Sequence, residues 1–135
     1  MQTEEVRAFK YDLRAYKAKL NQIQDLENKI EECYYALGGV RGVDPSKEPM
    51  HSPPNIEYEY TVRNRIEELE RKIKPLRVQT EEVERILNRM ETSLKTAIIS
   101  VYVDGHTIAS VARKMYLSHN GLLRRMNREI KKALD

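Results

Sequence analysis

The sequence predicts an all-α protein, and three features carry that prediction. A third of the 135 residues are charged, and the apolar side chains recur at steps of three and four, the spacing of one helix face. Aromatic residues are few, eight Tyr and one Phe with no Trp. Four of the five prolines and three of the five glycines lie in one stretch, residues 38–56, leaving long segments on either side free to be helical. The expected architecture is a long N-terminal, coiled-coil-like helical hairpin followed by a small C-terminal helix-turn-helix unit. Residues 1–90 form the hairpin and oligomerisation region, with a loop at 38–56, and residues 91–135 the C-terminal domain.

The first segment, roughly Thr3 to Leu37, places Val6, Phe9, Leu13, Tyr16, Leu20, Ile23, Ile30, Tyr34 and Leu37 in alternate steps of three and four. Glu27 interrupts the series where neighbouring Leu26 can substitute, and the whole reads as a heptad seam. Glu4 and Glu5 suit the positive end of the helix dipole. "LGGVRG" ends the helix, because glycine tolerates the left-handed backbone of a C-terminal cap. Cys33 is the only cysteine, so there is no disulfide framework and no multi-cysteine zinc site, and a reducing cytoplasm fits best. It reads as a small apolar helix residue. The loop "GGVRGVDPSKEPMHSPPN" is long for a compact bundle, and His51 within it has no second ligand nearby for a metal.

A second seam begins at Val62 and runs through Ile66, Leu69, Ile73, Leu76, Val83, Leu87, Met90, Leu94, Ala97 and Val101, broken at Thr80. Pro75 falls inside it and predicts a kink or a short break, since proline removes one hydrogen bond and clashes with the preceding turn. In "METSLK", Thr92 or Ser93 is the expected cap of a fresh helix. The two seams can pair with each other or across two chains, and a homodimer or higher homo-oligomer is expected.

In "VDGHT", Gly105 permits a turn and Thr107 is a good N-cap. Ile108, Val111, Ala112 and Met115 then share one apolar face, Leu117 lies in a tight connection, and Ser118 can cap a second helix over residues 118–133. Within that helix Leu122, Met126, Ile130 and Ala133 recur at inward spacing. By elimination His119, Asn120, Leu123, Arg124 and Asn127 face outward. The residues from Glu91 onward hold eight Lys or Arg against four Asp or Glu, a balance of +4, so the preceding ninety sum to −1 within the total of +3. A two-helix unit with a basic second helix is the arrangement that enters a DNA major groove. Arginine can donate two parallel hydrogen bonds to guanine, and asparagine can pair with adenine. His119, Asn120, Leu123, Arg124 and Asn127 are therefore the candidate base readers, with Arg124 and Asn120 leading. Arg113, Lys114, Ser118, Arg125, Arg128, Lys131 and Lys132 are the candidate phosphate contacts.

The stretch "LKTAIISVYVDGHTIASVARKMYLSHNGLLRRMNREIKKAL" resembles region four of bacterial sigma factors and, more closely, the sigma-like helix-turn-helix regulators of Gram-positive phages, the ArpU and RinA type. The likeness rests on "VYVDG" before the motif, "IASVARKMYLS" as first helix and turn, and "LLRRMNREIKKAL" as recognition helix, and covers about forty residues. It implies a phage or prophage transcriptional regulator acting on double-stranded DNA in a bacterial cytoplasm, with RNA polymerase as a further candidate partner. Two positions depart from the usual motif. Tyr116 stands at the turn position often held by glycine, and Gly121 lies inside the recognition helix, where glycine costs about 1 kcal/mol relative to alanine. Gly121 reads either as room for a close approach to DNA or a neighbouring helix, or as simple tolerance in a short packed helix.

The alternatives are a phage DNA-packaging subunit of the small-terminase kind, which also joins such a motif to coiled-coil assembly, and a coiled-coil protein that binds polymerase or another protein partner. An enzyme is not expected: the three histidines, 51, 106 and 119, are scattered, and the chain has no glycine-rich phosphate loop, nucleophile motif or metal-ligand cluster. No cofactor, catalytic residue or membrane segment is predicted.

Overall fold

The computed structural model describes residues 3–38 and 56–135, so the loop at 38–56, apart from its edges, and His51 within it lie outside the described residues. Every regular element described is helical: α1 (Glu4–Ala36), α2 (Ile56–Leu87), α3 (Thr92–Ile98) running directly into a π-helical turn (Ile99–Val103), α4 (Ile108–Lys114) and α5 (His119–Leu134). The chain packs as two compact units, one of residues up to Leu20 with Val78–Asp135 and one of Asn21–Arg77. Both long helices contribute to both units. The packing units therefore meet within α1 and α2.

The first unit is held by one apolar core. Val6, Phe9 and Leu13 of α1 join Val83, Ile86 and Leu87 of α2, Ala97 and Ile98 of α3, Val111 and Ala112 of α4, and Leu122, Met126, Ile130 and Ala133 of α5. Leu13, Ile98, Leu122, Met126 and Ile130 are fully buried. Each such side chain contributes about 1.5–3 kcal/mol relative to exposure. The inward set expected for the last helix is thus the set observed.

The second unit comprises two helix stretches with a narrow seam of Ile23, Val62, Ile66, Leu69 and Ile73. An ion pair joins Glu27 to Arg77, and a shallow cleft is lined by Lys29, Cys33 and Ala36 from one stretch and Val62, Arg65 and Leu69 from the other. Early residues of one stretch meet late residues of the other, so they run antiparallel. Tyr34, expected on the seam, is 45% exposed, and Leu20 at the edge of the first unit is 38% exposed. Two helices alone cover a strip too narrow to bury every heptad position of a long segment.

Several local expectations change. α2 continues through Pro75 without a break; the ring sits on an exposed face, where water can satisfy the carbonyl left without its donor. Thr80 does not break the seam but occupies it as a buried residue. Helix α3 is capped by Glu91, not by Thr92 or Ser93: its carboxylate accepts from the N–H groups of Ser93 (3.0 Å) and Leu94 (3.1 Å). These two backbone bonds and the Ser93 hydroxyl hold the Glu91 carboxyl below its usual pKa, the hydroxyl contact having the largest effect. The π-helical turn, closed by Asp104 N–H to the Ile99 carbonyl at 2.9 Å, adds a residue to the turn after Ala97. That extra residue moves the next inward position from Val101, which is half-buried, to Tyr102, which is buried.

Candidate functional site

The α4–turn–α5 region is built by two side-chain caps. Thr107 accepts from Ser110 N–H at 3.1 Å to start α4, and Ser118 accepts from Gly121 N–H at 3.0 Å to start α5. Gly105, at φ +81°, makes the turn before α4. Gly121 has a local explanation that differs from both readings of the sequence: a Cβ there would lie 2.8 Å from the Ser118 hydroxyl oxygen. Glycine leaves room for the hydroxyl that caps its own helix.

At about 100° per residue, the buried positions of α5 centre on Met126, and the opposite face carries Asn120, Arg124, Arg125, Arg128, Lys131 and Lys132, all exposed. Arg113 and Lys114, in the last turn of α4, are exposed as well. None of these seven Arg and Lys side chains forms an ion pair among the described residues. Arg124 with Arg128, and Arg128 with Lys132, are like charges at i,i+4, an arrangement that costs a few tenths of a kcal/mol each, at about 0.2–0.5 kcal/mol per pair, unless an anion relieves it. Glu129, the single carboxylate inside α5, is turned away and accepts from Glu91 N–H at 3.1 Å. The first turn of α5 holds no acidic residue, so apart from the neutral Ser118 cap its positive dipole end meets no anionic side chain of that turn. The surface is a cation-rich face without an internal counter-charge.

The candidate base readers fall into two groups. His119, Asn120 and Arg124 are exposed. Leu123 and Asn127, expected to face outward, are half-buried on the flank of the helix. Their angles lie between the apolar and basic faces, and α1 packs against that flank. The Asn127 side-chain carbonyl accepts a hydrogen bond from Lys10 Nζ, so this residue is engaged within the protein. Of the candidate phosphate contacts, Ser118 uses its oxygen as the cap acceptor, and its hydroxyl proton remains able to donate outward.

Behind Asn127 lies a cluster that periodicity did not point to. Lys10 is buried, with Nζ 5.0 Å from the centroid of the Tyr102 ring, and the Arg14 guanidinium stands 5.5 Å from the same centroid. Each cation lies within reach of the ring's negative face. Burial, helped by the charge of Arg14, lowers the Lys10 pKa to about 8. Burial also raises the Tyr102 pKa, against a smaller opposing effect of Arg14. Lys10 follows Phe9 on the edge of the first seam, a position that is solvated in a two-helix pair and becomes enclosed only when α5 adds a third element. The cluster fixes the flank of α5 and thereby the direction of its basic face.

A half-open hollow of about 340 Å³ beside α3 and α4 is lined by Ser93, Thr96, Ala97, His106, Val111 and Lys114, among others. The Ser93 and Thr96 hydroxyls already donate to Glu91 and to the Thr92 carbonyl, so its polar groups do not converge on the space. Among the described residues no three His, Cys, Asp or Glu side chains are placed to hold a metal ion, and no helix is long and apolar enough to cross a membrane. No protein-family model, curated protein or solved structure matches the chain.

Proposed function

We propose that the chain is a sequence-specific, double-stranded-DNA-binding transcriptional regulator of the phage or prophage kind, with α5 as the helix that enters the major groove. The observation that supports this most is the outward face of α5: Arg124, Arg125, Arg128, Lys131 and Lys132, exposed, without ion pairs among the described residues and without a carboxylate on the same face. Unpaired like charges on a well-capped helix favour a polyanion that takes up several at once and releases its counterions.

Within that reading Arg124 and Asn120 address base edges, with His119 at the entry of the helix. Arg113, Lys114, Arg125, Arg128, Lys131 and Lys132 hold phosphates, and Ser118 can add a neutral donor. Leu123 and Asn127 act from behind, through the placing of the helix. The forty-residue likeness to sigma region four and its phage relatives agrees with this division. Pairing of two chains through the long helices would present two such faces to two half-sites one turn apart; a homodimer, and contact with polymerase, belong to the same proposal.

The experiment is selection of bound fragments from randomised duplex DNA at physiological salt, with the intact protein and with Arg124→Ala. A defined motif is expected for the parent. The substitution should weaken binding to it by about 1–3 kcal/mol and relax one position, the usual effect of losing a bidentate base contact. Enrichment of no motif by the parent would reduce the α5 face to a non-specific basic surface, and an unchanged motif with Arg124→Ala would remove that residue from base reading.

A further inference from the structure

Helix α4 ends in a pattern that demands a left-handed residue. Leu117 N–H reaches the Ala112 carbonyl at 2.9 Å and Tyr116 N–H the Arg113 carbonyl at 3.2 Å, the paired bonds of a Schellman cap. The residue between must take positive φ, and glycine does so without a clash of Cβ against the backbone. Gly38 (φ +94°) and Gly105 (φ +81°) fill left-handed positions elsewhere among the described residues. At the end of α4 the position is held by Tyr116, at φ +58°, the one non-glycine residue with positive φ among those described.

A bulky residue in this region is strained, and strain of this kind persists where something else is gained. Burial does not supply the gain, because Tyr116 is 96% exposed, the most exposed large apolar side chain described. Its hydroxyl has no hydrogen-bond partner among the described residues. The aromatic ring and its hydroxyl therefore return nothing to the fold that glycine or asparagine would not.

The surroundings specify the partner. Between Asp104 and Glu129 the chain has no Asp or Glu and five Arg or Lys, and Tyr116 stands between Arg113 and Lys114 on one side and His119 and Asn120 on the other. We propose that Tyr116 is a DNA-contacting residue whose phenol hydroxyl donates a hydrogen bond to a phosphate oxygen of the duplex backbone beside α5. This rests on the DNA-binding reading above and adds to it a neutral contact in the turn. A phosphate oxygen only accepts, so it needs a donor; tyrosine hydroxyls are among the groups that serve DNA backbones in this way, fixing register without reading sequence. Because the donor is uncharged, the contact releases no counterion and differs in salt dependence from every Arg or Lys contact around it.

That difference supplies the test, made on the full chain by fluorescence anisotropy with a duplex of mixed sequence over a series of salt concentrations. Tyr116→Phe, which removes only the hydroxyl, should bind about tenfold more weakly at each salt concentration, as expected for a hydrogen bond to a charged group. Its slope of log affinity against log salt should equal the parent's, whereas Lys131→Ala should lower the slope by about one unit. Tyr116→Gly should bind as weakly as Tyr116→Phe yet melt at or above the parent temperature, the relief of strain offsetting the freer unfolded chain. Parental affinity in Tyr116→Phe, or weakened binding in Tyr116→Gly alone, would overturn the hydroxyl contact. A melting temperature several degrees lower in Tyr116→Gly would show that tyrosine serves the fold and overturn the proposal. Absence of duplex binding by the parent would instead refute the DNA-binding reading, and this inference with it.

Discussion

The two packing units use the same helices in different ways. In Asn21–Arg77 a pair of stretches shares a one-residue-wide seam, with Tyr35, Tyr58 and Tyr60 largely exposed and the Glu27–Arg77 and Arg65–Glu68 ion pairs at the surface. In the unit with α3, α4 and α5, the first turns of α1 and the last of α2 are covered from further sides, and even a lysine is enclosed. A heptad seam states only that one face of a helix is apolar. How far burial spreads beyond that face depends on how many elements converge there, and the basic face of α5 is carried where they are most numerous.

The largest test of this difference lies in the cores. Leu122 is fully buried within a multi-helix cluster and Leu69 nearly so (1% exposed) in the two-helix seam. Leu122→Ala should cost about 3–5 kcal/mol, because neighbours on all sides hold the cavity open, and Leu69→Ala about 2–3 kcal/mol, because a two-helix seam can close over the gap. Urea unfolding of both variants measures the pair of values. Equal losses would remove the distinction.

Buried charge sharpens the comparison at intermediate size. The Lys10 pKa, lowered to about 8 in the folded chain from 10.5, means that the unfolded chain binds the proton more readily between those values. Stability contributed by this group should therefore rise as pH increases from about 8 toward 10. Above pH 10 the trend should reverse, since burial and Glu84 raise the Tyr16 pKa to about 12, so the unfolded chain loses that proton first. The stability gap between Lys10→Met and the parent should favour the variant most near pH 7 and shift toward the parent as pH approaches 10. A gap independent of pH would mean that the lysine is solvated in the folded protein. Exposed pairs such as Arg65–Glu68 should shift stability by at most about 0.5 kcal/mol, as is usual for surface ion pairs.

The smallest effect concerns the start of α5. Ser118→Ala should cost about 1 kcal/mol as a lost N-cap. Gly121→Ala should be near neutral or unfavourable in the parent, where the new methyl would crowd the Ser118 oxygen, but stabilising by up to about 1 kcal/mol in the Ser118→Ala background, where helix propensity alone remains. Thermal melts of the four proteins form a double-mutant cycle. Additivity would dissociate the glycine from the cap.

Periodicity was a good guide where several helices converge, and over-assigned burial where two stretches alone share a seam and leave Tyr34 exposed. Leu122, Met126, Ile130 and Ala133 lie inward, Thr107 and Ser118 cap their helices, and Gly38 and Gly105 take left-handed conformations, because each of these depends on residues within one or two turns. The limits of α1 and α2 were legible for the same reason. The Arg and Lys residues of α5 could be assigned to its outer face from the sequence, since that face is the complement of an inward set already fixed by spacing.

What the tertiary structure decided is the part that depends on a third element. Asn127 and Leu123 are drawn to the packed flank of α5, Lys10 is enclosed against Tyr102, and the π-helical turn that brings Tyr102 inward has no signature in heptad spacing. Glu91 caps α3 in place of Thr92 and Ser93, with its own N–H held by the Glu129 carboxylate of α5. The sequence by itself determined helices, caps and the sign of the exposed charge, all local properties of 3.6-residue periodicity and side-chain chemistry. The fold determined which residues flanking that periodicity are withdrawn from solvent, because burial at the edge of a helix is set by whatever packs beside it, and that neighbour lies more than a hundred residues away in the chain for Lys10 and Asn127.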